Sequence, residues 1–412
     1  MSLDGIRKTF SPIIPSVVQE QVAQAVEAAK PLAPALQDGF DPAAAGTGQA
    51  APVGMADPSK YETVPASYPM KGDATLEKVA NGEMELASGA KGESVRKLQE
   101  ALELAGQPLP KHGADSDFGT ETKDALADFQ SKNDLEPTGR LDAATIKKLD
   151  AAAAANVKKP QYDKLYEDSV LNTTIGIGYD EKKAHLPQIK KTIDGLEAKG
   201  YQQLDVTTAT DDELTKHGID PATVDKTATY FVKDFQHQGK DVKGVVKLIT
   251  PDTPNAKEKF ARAMNEDELV MYSGHGRVGS GPDFDPKDNP AGNYVIGAPH
   301  EENYVKLGEN DLKKAKMTND YQLMFFDGCN TNRYVDDLRS IPKNKNSKNL
   351  DIVGANTELS WSTSSADVLT MLDGVEKGKS MNEITSDLNR INKEHPRDTQ
   401  KHFMTDGFED ND

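Results

Sequence analysis

A histidine set between two glycines, and the only cysteine of the chain, are the residues whose types and spacing point to chemistry. The stretch DELVMYSGHGRVG places His275 between Gly274 and Gly276, directly after the apolar run LVMY. The apolar run LMFF then ends in Asp327-Gly328-Cys329, with Cys329 54 positions beyond His275. A thiol is only a few per cent thiolate at neutral pH and needs a base or an electropositive setting to become an effective nucleophile. An imidazole within reach takes that proton and later gives it to a leaving amine. Taken singly, each residue has a plain reading: a lone cysteine as a small core residue, a histidine as a satisfied turn residue. Both at the ends of apolar runs, they read as a nucleophile and its base. The N–H groups of Gly276 and Cys329 are candidates for holding an oxyanion. Gly274 and Gly276 read as a sharp turn open to close substrate approach. Cys329 further reads as opening a helix over NTNRYVDDL, whose N-terminus would favour a thiolate.

These two residues need strands to position them. NTTIGIGYD, YQQLDVTT, VKGVVKLIT, DELVMYSGHG, YQLMFFDGC and LDIVGANTE read as strands. HLPQIKKTIDGLEAKG, PATVDKTATYFVKDFQ, PNAKEKFARAMNE, GENDLKKAK, TNRYVDDLRSI, SADVLTMLDGVEKG and MNEITSDLNRINKE read as helices. Repeated βα units with nearly continuous apolar strands imply an α/β fold, a mainly parallel sheet flanked by helices. Parallel strands emerge on one edge, and sites form beyond their carboxyl ends.

Upstream the pattern changes. GESVRKLQEALELAG puts Val95, Leu98, Leu102 and Ala105 on one helical face, TETKDALADFQSKNDL does the same with Ala125, Leu126 and Phe129, and LDAATIKKLDAA gives a third short helix. Ser94 and Asp142 read as N-caps. The organisation expected is a flexible Ala/Pro-rich leader over 1–80, a small all-α three-helix domain over 84–150, a linker over 151–165 and the α/β domain over 166–412. The chain of 412 residues is long enough for two or three domains, and its 36% hydrophobic content is low for one compact globule. A net charge of -18 disfavours nucleic acid and anionic membrane surfaces as partners. One cysteine excludes an intramolecular disulfide and a cysteine-based zinc site. No apolar stretch has signal-peptide or membrane-spanning length. The expectation is a soluble protein, cytoplasmic or exported by a route other than the general secretory one.

The string GAKGESVRKLQEALELAG…DSDFGTETKDALADFQSKNDLEPTGRLDAATIKKL resembles the peptidoglycan-binding domain 1 family. The likeness rests on V-x-x-L-Q-x-x-L, the D-F-G-T-x-T turn, the A-L-x-x-F-Q helix and G-x-L-D-x-x-T, over about 65 residues. It implies a three-helix module, often attached to cell-wall enzymes and elsewhere a plain prodomain, with peptidoglycan as its expected partner.

LVMYSGHG and LMFFDGCNT resemble the two catalytic blocks of the caspase-like cysteine peptidases of clan CD, which include metacaspases and clostripain. The likeness extends over roughly 170–395, with 201–240 as an insertion. It implies a caspase–hemoglobinase-like sandwich and a bacterial thiol protease with His275 and Cys329 as its dyad. Wall enzymes with Cys before His, or with contiguous His-Gly-Cys, fit the order less well. Asp327 stands where metacaspases and clostripain-like relatives place the acid that selects Arg or Lys at P1, and a desolvated carboxylate pairs well with a guanidinium. Relatives that are zymogens are cut in the region of IPKNKNSKNLD, making Lys343, Lys345 and Lys348 candidate self-cleavage sites. Relatives use the loop of TELSWSTSSAD as a substrate wall, which gives Trp361 a place against the P2 side chain. Some metacaspases need calcium. Asp283 and Asp285 are acids that could bind it, but their order matches no EF-hand loop, and no metal or other cofactor is assigned. The rival class is a catalytically inactive caspase-like wall-binding or interaction protein.

Overall fold

The computed structural model describes residues 70, 72–277, 281–284, 295–296, 312, 315–393 and 400–411. The 1–69 part of the expected leader, the segment GENDLKKAK apart from Leu312, Ala315 and Lys316, and Asp285 lie outside them.

The helical region is built from α1 (Ala74–Ala80), α2 (Glu93–Leu104), α3 (Thr120–Lys132) and α4 (Ala143–Ala154). Val95, Leu98 and Leu102 of α2, Leu126 and Phe129 of α3, and Ile146 and Leu149 of α4 share one core. Leu76 and Val79 of α1 belong to the same core, so this module starts before residue 84 and α1 is not leader. Asp142 caps α4 through the Thr145 N–H, whereas α2 is capped at Gly92. Ser94 lies inside that helix and donates to Asp73 at 2.9 Å. Two glutamines brace the loops. The Gln99 amide donates to Asp115, the Asp117 carbonyl and Thr122, and the Gln130 amide to Thr138, the Arg140 carbonyl and Thr145. Both are 1% exposed, so their amides meet the demand that buried polar groups find partners.

The α/β domain holds an eight-stranded, mostly parallel sheet flanked by helices, in the order β2-β3-β4-β1-β5-β6-β7-β8. The strands are β1 (Val170–Ile177), β2 (Gln202–Leu204), β3 (Thr229–His237), β4 (Lys240–Ile249), β5 (Leu269–Ser273), β6 (Gln322–Asp327), β7 (Leu350–Ala355) and β8 (Phe403–Asp406). The run β4-β1-β5-β6-β7 is parallel, and β2, β3 and β8 are antiparallel additions at the two edges. β5, β6 and β7 are buried at every position, as expected of strands covered on both faces. Side chains alternate between faces. Leu269, Met271, Leu323 and Phe325 enter one core with α5 (Tyr162–Leu165), α6 (His185–Ala198), α10 (Ser364–Glu376) and α11 (Met381–Ile391). Val270, Tyr272, Met324 and Phe326 enter the other core with α8 (Ala256–Glu266) and α9 (Tyr334–Ser340). α7 (Asp211–Lys216) sits over the β2 edge with a smaller cluster around Val206 and Leu214.

Two sequence expectations fail here for physical reasons. PATVDKTATYFVKDFQ is not a helix. Its second half is β3, which pairs with β4 through the turn at Gln238 and Gly239, both at positive φ. Tyr, Phe and Val at adjacent positions fit a helix only weakly and a half-buried hairpin well. The presumed linker is also tied down. Tyr162 and Tyr166 are buried and stack at 5.8 Å, and their hydroxyls donate to the Lys379 and Val375 carbonyls.

Candidate active site

Ser273, the last residue of β5, is in register with Asp327, the last residue of β6. His275 and Cys329 therefore stand equal distances beyond two hydrogen-bonded parallel strands, which run about 4.8 Å apart. The ladder continues one step further, with the Gly274 N–H donating to the Asp327 carbonyl at 2.9 Å. β1 lies on the other side of β5, and its ladder continues through the Gly178 N–H to the Ser273 carbonyl at 2.8 Å. β1 is where the chain changes direction across the sheet, the place where open α/β sheets form a crevice. Asp180 comes out of β1 at that point.

Asp180 is the residue that sequence reasoning missed. Its Oδ1 accepts from His275 Nε2 at 3.1 Å, which leaves Nδ1 as the free base. Burial pushes the Asp180 carboxyl up, but the Ala184 N–H and the His275 bond outweigh it and hold the group below the usual carboxylate range. Its own N–H donates to His185 Nδ1 at 3.0 Å, and burial pushes His185 down. The signal was available: NTTIGIGYD is a third apolar strand ending in a polar residue at the same sheet edge.

The glycines flanking His275 have a more specific role than a sharp turn. Neither is at positive φ. A Cβ on Gly274 would stand 2.4 Å from the Tyr272 hydroxyl, and one on Gly276 would stand 2.1 Å from the Cys329 carbonyl oxygen. The first glycine clears the Tyr272 phenol, which donates to the His275 carbonyl at 3.1 Å. The second lets the histidine loop lie directly against the cysteine loop. Gly276→Ala is expected to destabilise the protein by about 2–4 kcal/mol and to abolish any Cys329-dependent activity, as a thermal melt paired with thiol-reactivity measurement would read; an unaltered melt would contradict the contact. Among the described residues, neither the Gly276 nor the Cys329 N–H donates to another backbone carbonyl.

The Cys329 thiol is held by Leu359 on the neighbouring loop. The Leu359 N–H donates to Sγ at 3.4 Å, and Sγ lies 3.7 Å from the Leu359 carbonyl. No hydrogen bond joins it to His275 in this state. The expected helix does not begin at Cys329: Asn330 takes φ 53, a 3-10 turn covers Thr331–Arg333, and α9 starts at Tyr334. The short helix therefore does not supply the thiolate setting anticipated for it.

Asp327 is 3% exposed and accepts from Ser273 Oγ at 2.6 Å. Burial pushes its carboxyl up. Trp361 packs edge-on against His275, with ring centroids 5.5 Å apart. Of the three lysines, Lys343 and Lys348 are exposed, but Lys345 is 4% exposed and donates to the Asp320 carbonyl at 2.7 Å. Burial pushes its ammonium down to about 8, and a buried anchor is not a cleavage site, so Lys345 leaves that set. Asp283 is not open for calcium. Arg277 Nε donates to it at 2.6 Å and Arg277 Nη2 to Glu181 at 3.0 Å. Asp180, Glu181 and His275 place their ligand atoms within 4.8 Å of one another, the one such group among the described residues. The Arg277 guanidinium already supplies positive charge there, so no metal is assigned.

Comparison with known proteins bears on the helical module. Residues 91–149 match the family described as "Putative peptidoglycan binding domain". A peptidoglycan-binding domain is present. The chain is 40% identical over 74 residues to the "Probable N-acetylmuramoyl-L-alanine amidase" of Bacillus licheniformis, and 43% identical over 75 residues to N-acetylmuramoyl-L-alanine amidase CwlL of the same organism. Each match covers 18% of this chain and 21% of the relative. The chain thus spans about a fifth of the length of the curated relatives it matches. Segments of that size can hold the peptidoglycan-binding domain and not the α/β domain. No described helix is long and apolar enough to cross a membrane.

Proposed function

We propose that the α/β domain is a cysteine endopeptidase of caspase-like type, and that the peptidoglycan-binding domain holds or regulates it at the cell wall. The observation that carries the reading is the placement of His275 and Cys329 at the carboxyl ends of adjacent parallel strands, with Asp180 bonded to the far nitrogen of the imidazole. Cys329 Sγ gives its proton to His275 Nδ1 and attacks the scissile carbonyl carbon. The Gly276 and Cys329 N–H groups hold the oxyanion. The C–N bond breaks, and the leaving amine takes the proton from His275. Water then attacks the thioester, giving a proton back to the imidazole, and Cys329 leaves as the product acid departs. Asp327 lies below this point and favours a basic P1 residue.

The amidase activity named for the relatives is not carried over, because the shared segment is no larger than a binding module. The rival reading, an inactive wall-binding or interaction protein, draws on the thiol resting against Leu359. Fluorogenic arginyl and lysyl peptides separate the two. Wild type is expected to cleave them and Cys329→Ala to lose all turnover, whereas equal signals from both proteins would refute the assignment. Mass spectrometry of the same pair is expected to find wild-type cuts after Lys343 or Lys348 and none after the anchored Lys345. Pull-down with purified peptidoglycan tests the module separately.

A further inference from the structure

Tyr272 is 0% exposed, and its hydroxyl reaches the turn that follows β5. The ring packs edge-on against Phe260 and Phe284, with centroids 5.9 and 5.7 Å away. Two separate segments give up a side chain for the hydroxyl: a Cβ on Gly178 would stand 2.3 Å from it and one on Gly274 2.4 Å. The oxygen accepts from the Asp283 N–H at 3.1 Å and donates to the His275 carbonyl at 3.1 Å. A phenol has one hydrogen to give. The Asp283 carbonyl, 3.4 Å away, already takes the Tyr179 N–H at 3.0 Å, which leaves that hydrogen to His275. Burial pushes the Tyr272 phenol up, so it stays protonated and a donor. On the other side of the same peptide unit is the Gly276 N–H. Gly276 is buried, yet its N–H meets no backbone carbonyl among the described residues. Its nitrogen lies against the cysteine loop, 3.3 Å from where a Cβ on Gly328 would stand. Buried N–H groups are seldom left without an acceptor.

We infer that Tyr272 is a positioning residue for the oxyanion: by holding the His275 carbonyl, its hydroxyl aims the Gly276 N–H at the reacting oxygen and strengthens it as a donor. The inference rests on the peptidase reading and deepens it. A peptide unit is planar and trans, so its C=O and N–H point in opposite directions as one rigid body. Gripping the carbonyl from the core therefore turns the N–H away from the core. Glycine at 276 has no side chain to hold that plane, and the phenol supplies the restraint. The bonds also run in series, from the Asp283 N–H through the Tyr272 O–H to the His275 carbonyl, and each polarises the next. A carbonyl that accepts a hydrogen bond makes the N–H of its own peptide a better donor. An oxyanion donor acts through a geometry set before the charge develops. Tyr334 gives an internal contrast. It is equally buried, and its hydroxyl donates to the Gly276 carbonyl at 3.0 Å. That carbonyl shares its peptide unit with the Arg277 N–H, which the proposed mechanism does not use.

The test compares full-length wild type, Tyr272→Phe and Tyr334→Phe, with rates expressed per Cys329 thiol that alkylates, which corrects for any misfolded fraction. Tyr272→Phe keeps the ring and its packing. Its kcat on an arginyl peptide is expected to fall about tenfold, less than the roughly 10²–10³-fold that loss of a whole oxyanion donor brings, with KM nearly unchanged. Affinity for the corresponding peptide aldehyde should fall by the same factor, because its adduct with Cys329 places an oxyanion in the same site. Alkylation of Cys329 by iodoacetamide forms no oxyanion, so its rate should hold, which a loosened or misplaced dyad would not allow. Tyr334→Phe should retain most of kcat and of the aldehyde affinity. Equal kcat and aldehyde affinity in wild type and Tyr272→Phe would overturn the inference alone. So would a loss in Tyr334→Phe as large as in Tyr272→Phe, or slowed alkylation in Tyr272→Phe, since the phenol would then support the loop or the dyad and not the one N–H. Wild type that neither turns over peptides nor forms the aldehyde adduct rejects the peptidase reading and the inference with it.

Discussion

Asp180→Asn is expected to lower kcat for an arginyl peptide by about 10²–10⁴-fold while leaving KM nearly unchanged. The reasoning follows the proton. In the resting protein His275 Nε2–H donates to Asp180 Oδ1 at 3.1 Å, so Nδ1 is free to take the thiol proton. A carboxylate only accepts, and it therefore fixes that tautomer. An asparagine can turn its amide and donate to Nε2, which moves the imidazole hydrogen to Nδ1 and leaves no base facing Cys329. It also removes the negative charge that stabilises the imidazolium once the proton has moved. Asp180 makes its bonds to His275 and to the turn at Ala184, so substrate affinity is not expected to follow. A loss expressed in KM with kcat intact would show that Asp180 shapes the substrate cleft and does not orient the base. Steady-state kinetics on both variants of the residue, Asn and Ala, read the split directly.

What could be read from the sequence, and what could not, follows from how local each signal was. β5, β6 and β7 announce themselves because strands buried on both faces must be apolar throughout, and LVMY, LMFF and LDIVGA are too short for helices. Their parallel pairing then puts His275 and Cys329 on one edge without further information. The β3 segment reads as a helix in sequence because its apolar residues serve an antiparallel hairpin near the sheet edge, where the pattern is mixed. β8, four residues long, borrows its stability from β7 and has no pattern of its own. The roles of Gly274 and Gly276 depend on the Tyr272 hydroxyl and the Cys329 carbonyl, contacts that no local rule encodes. Asp180 is reached only by knowing which loops meet at the sheet edge. Lys345 looks like its two neighbours in sequence and differs because the Asp320 carbonyl is placed to receive it.

The buried carboxylates lead to a second large effect, on stability. The melting temperature is expected to fall as pH rises from about 5.5 to 8. Burial pushes Glu268 up to about 7 and, despite bonds from Tyr321 and Asn411, pushes Asp351 up to about 7. Asp327 and Asp367 are raised in the same way, Asp367 additionally by its neighbour. In the unfolded chain each of these groups ionises near 4. Between those limits the folded protein holds protons that the unfolded chain has lost, so stability declines with increasing pH. Glu268 and Asp351 contribute up to about 3 kcal/mol each to that decline. The groups around Asp327 and Asp367 do not reverse it. Ser273 faces Asp327 from β5, Thr363 and Ser364 come from the α10 entry and Asn392 from the end of α11, and none brings a positive charge. Lys345, pushed down to about 8, has the opposite sign but acts only above that value, and His185 and His237, pushed down by burial, oppose the trend within the window but are fewer than the raised carboxyls. Asp367→Asn removes one of the like charges and is expected to raise the melting temperature at about pH 8 and to flatten the slope. A melting temperature that stays level or climbs from about pH 5.5 to 8 would mean that these carboxylates are ionised and compensated in the folded protein.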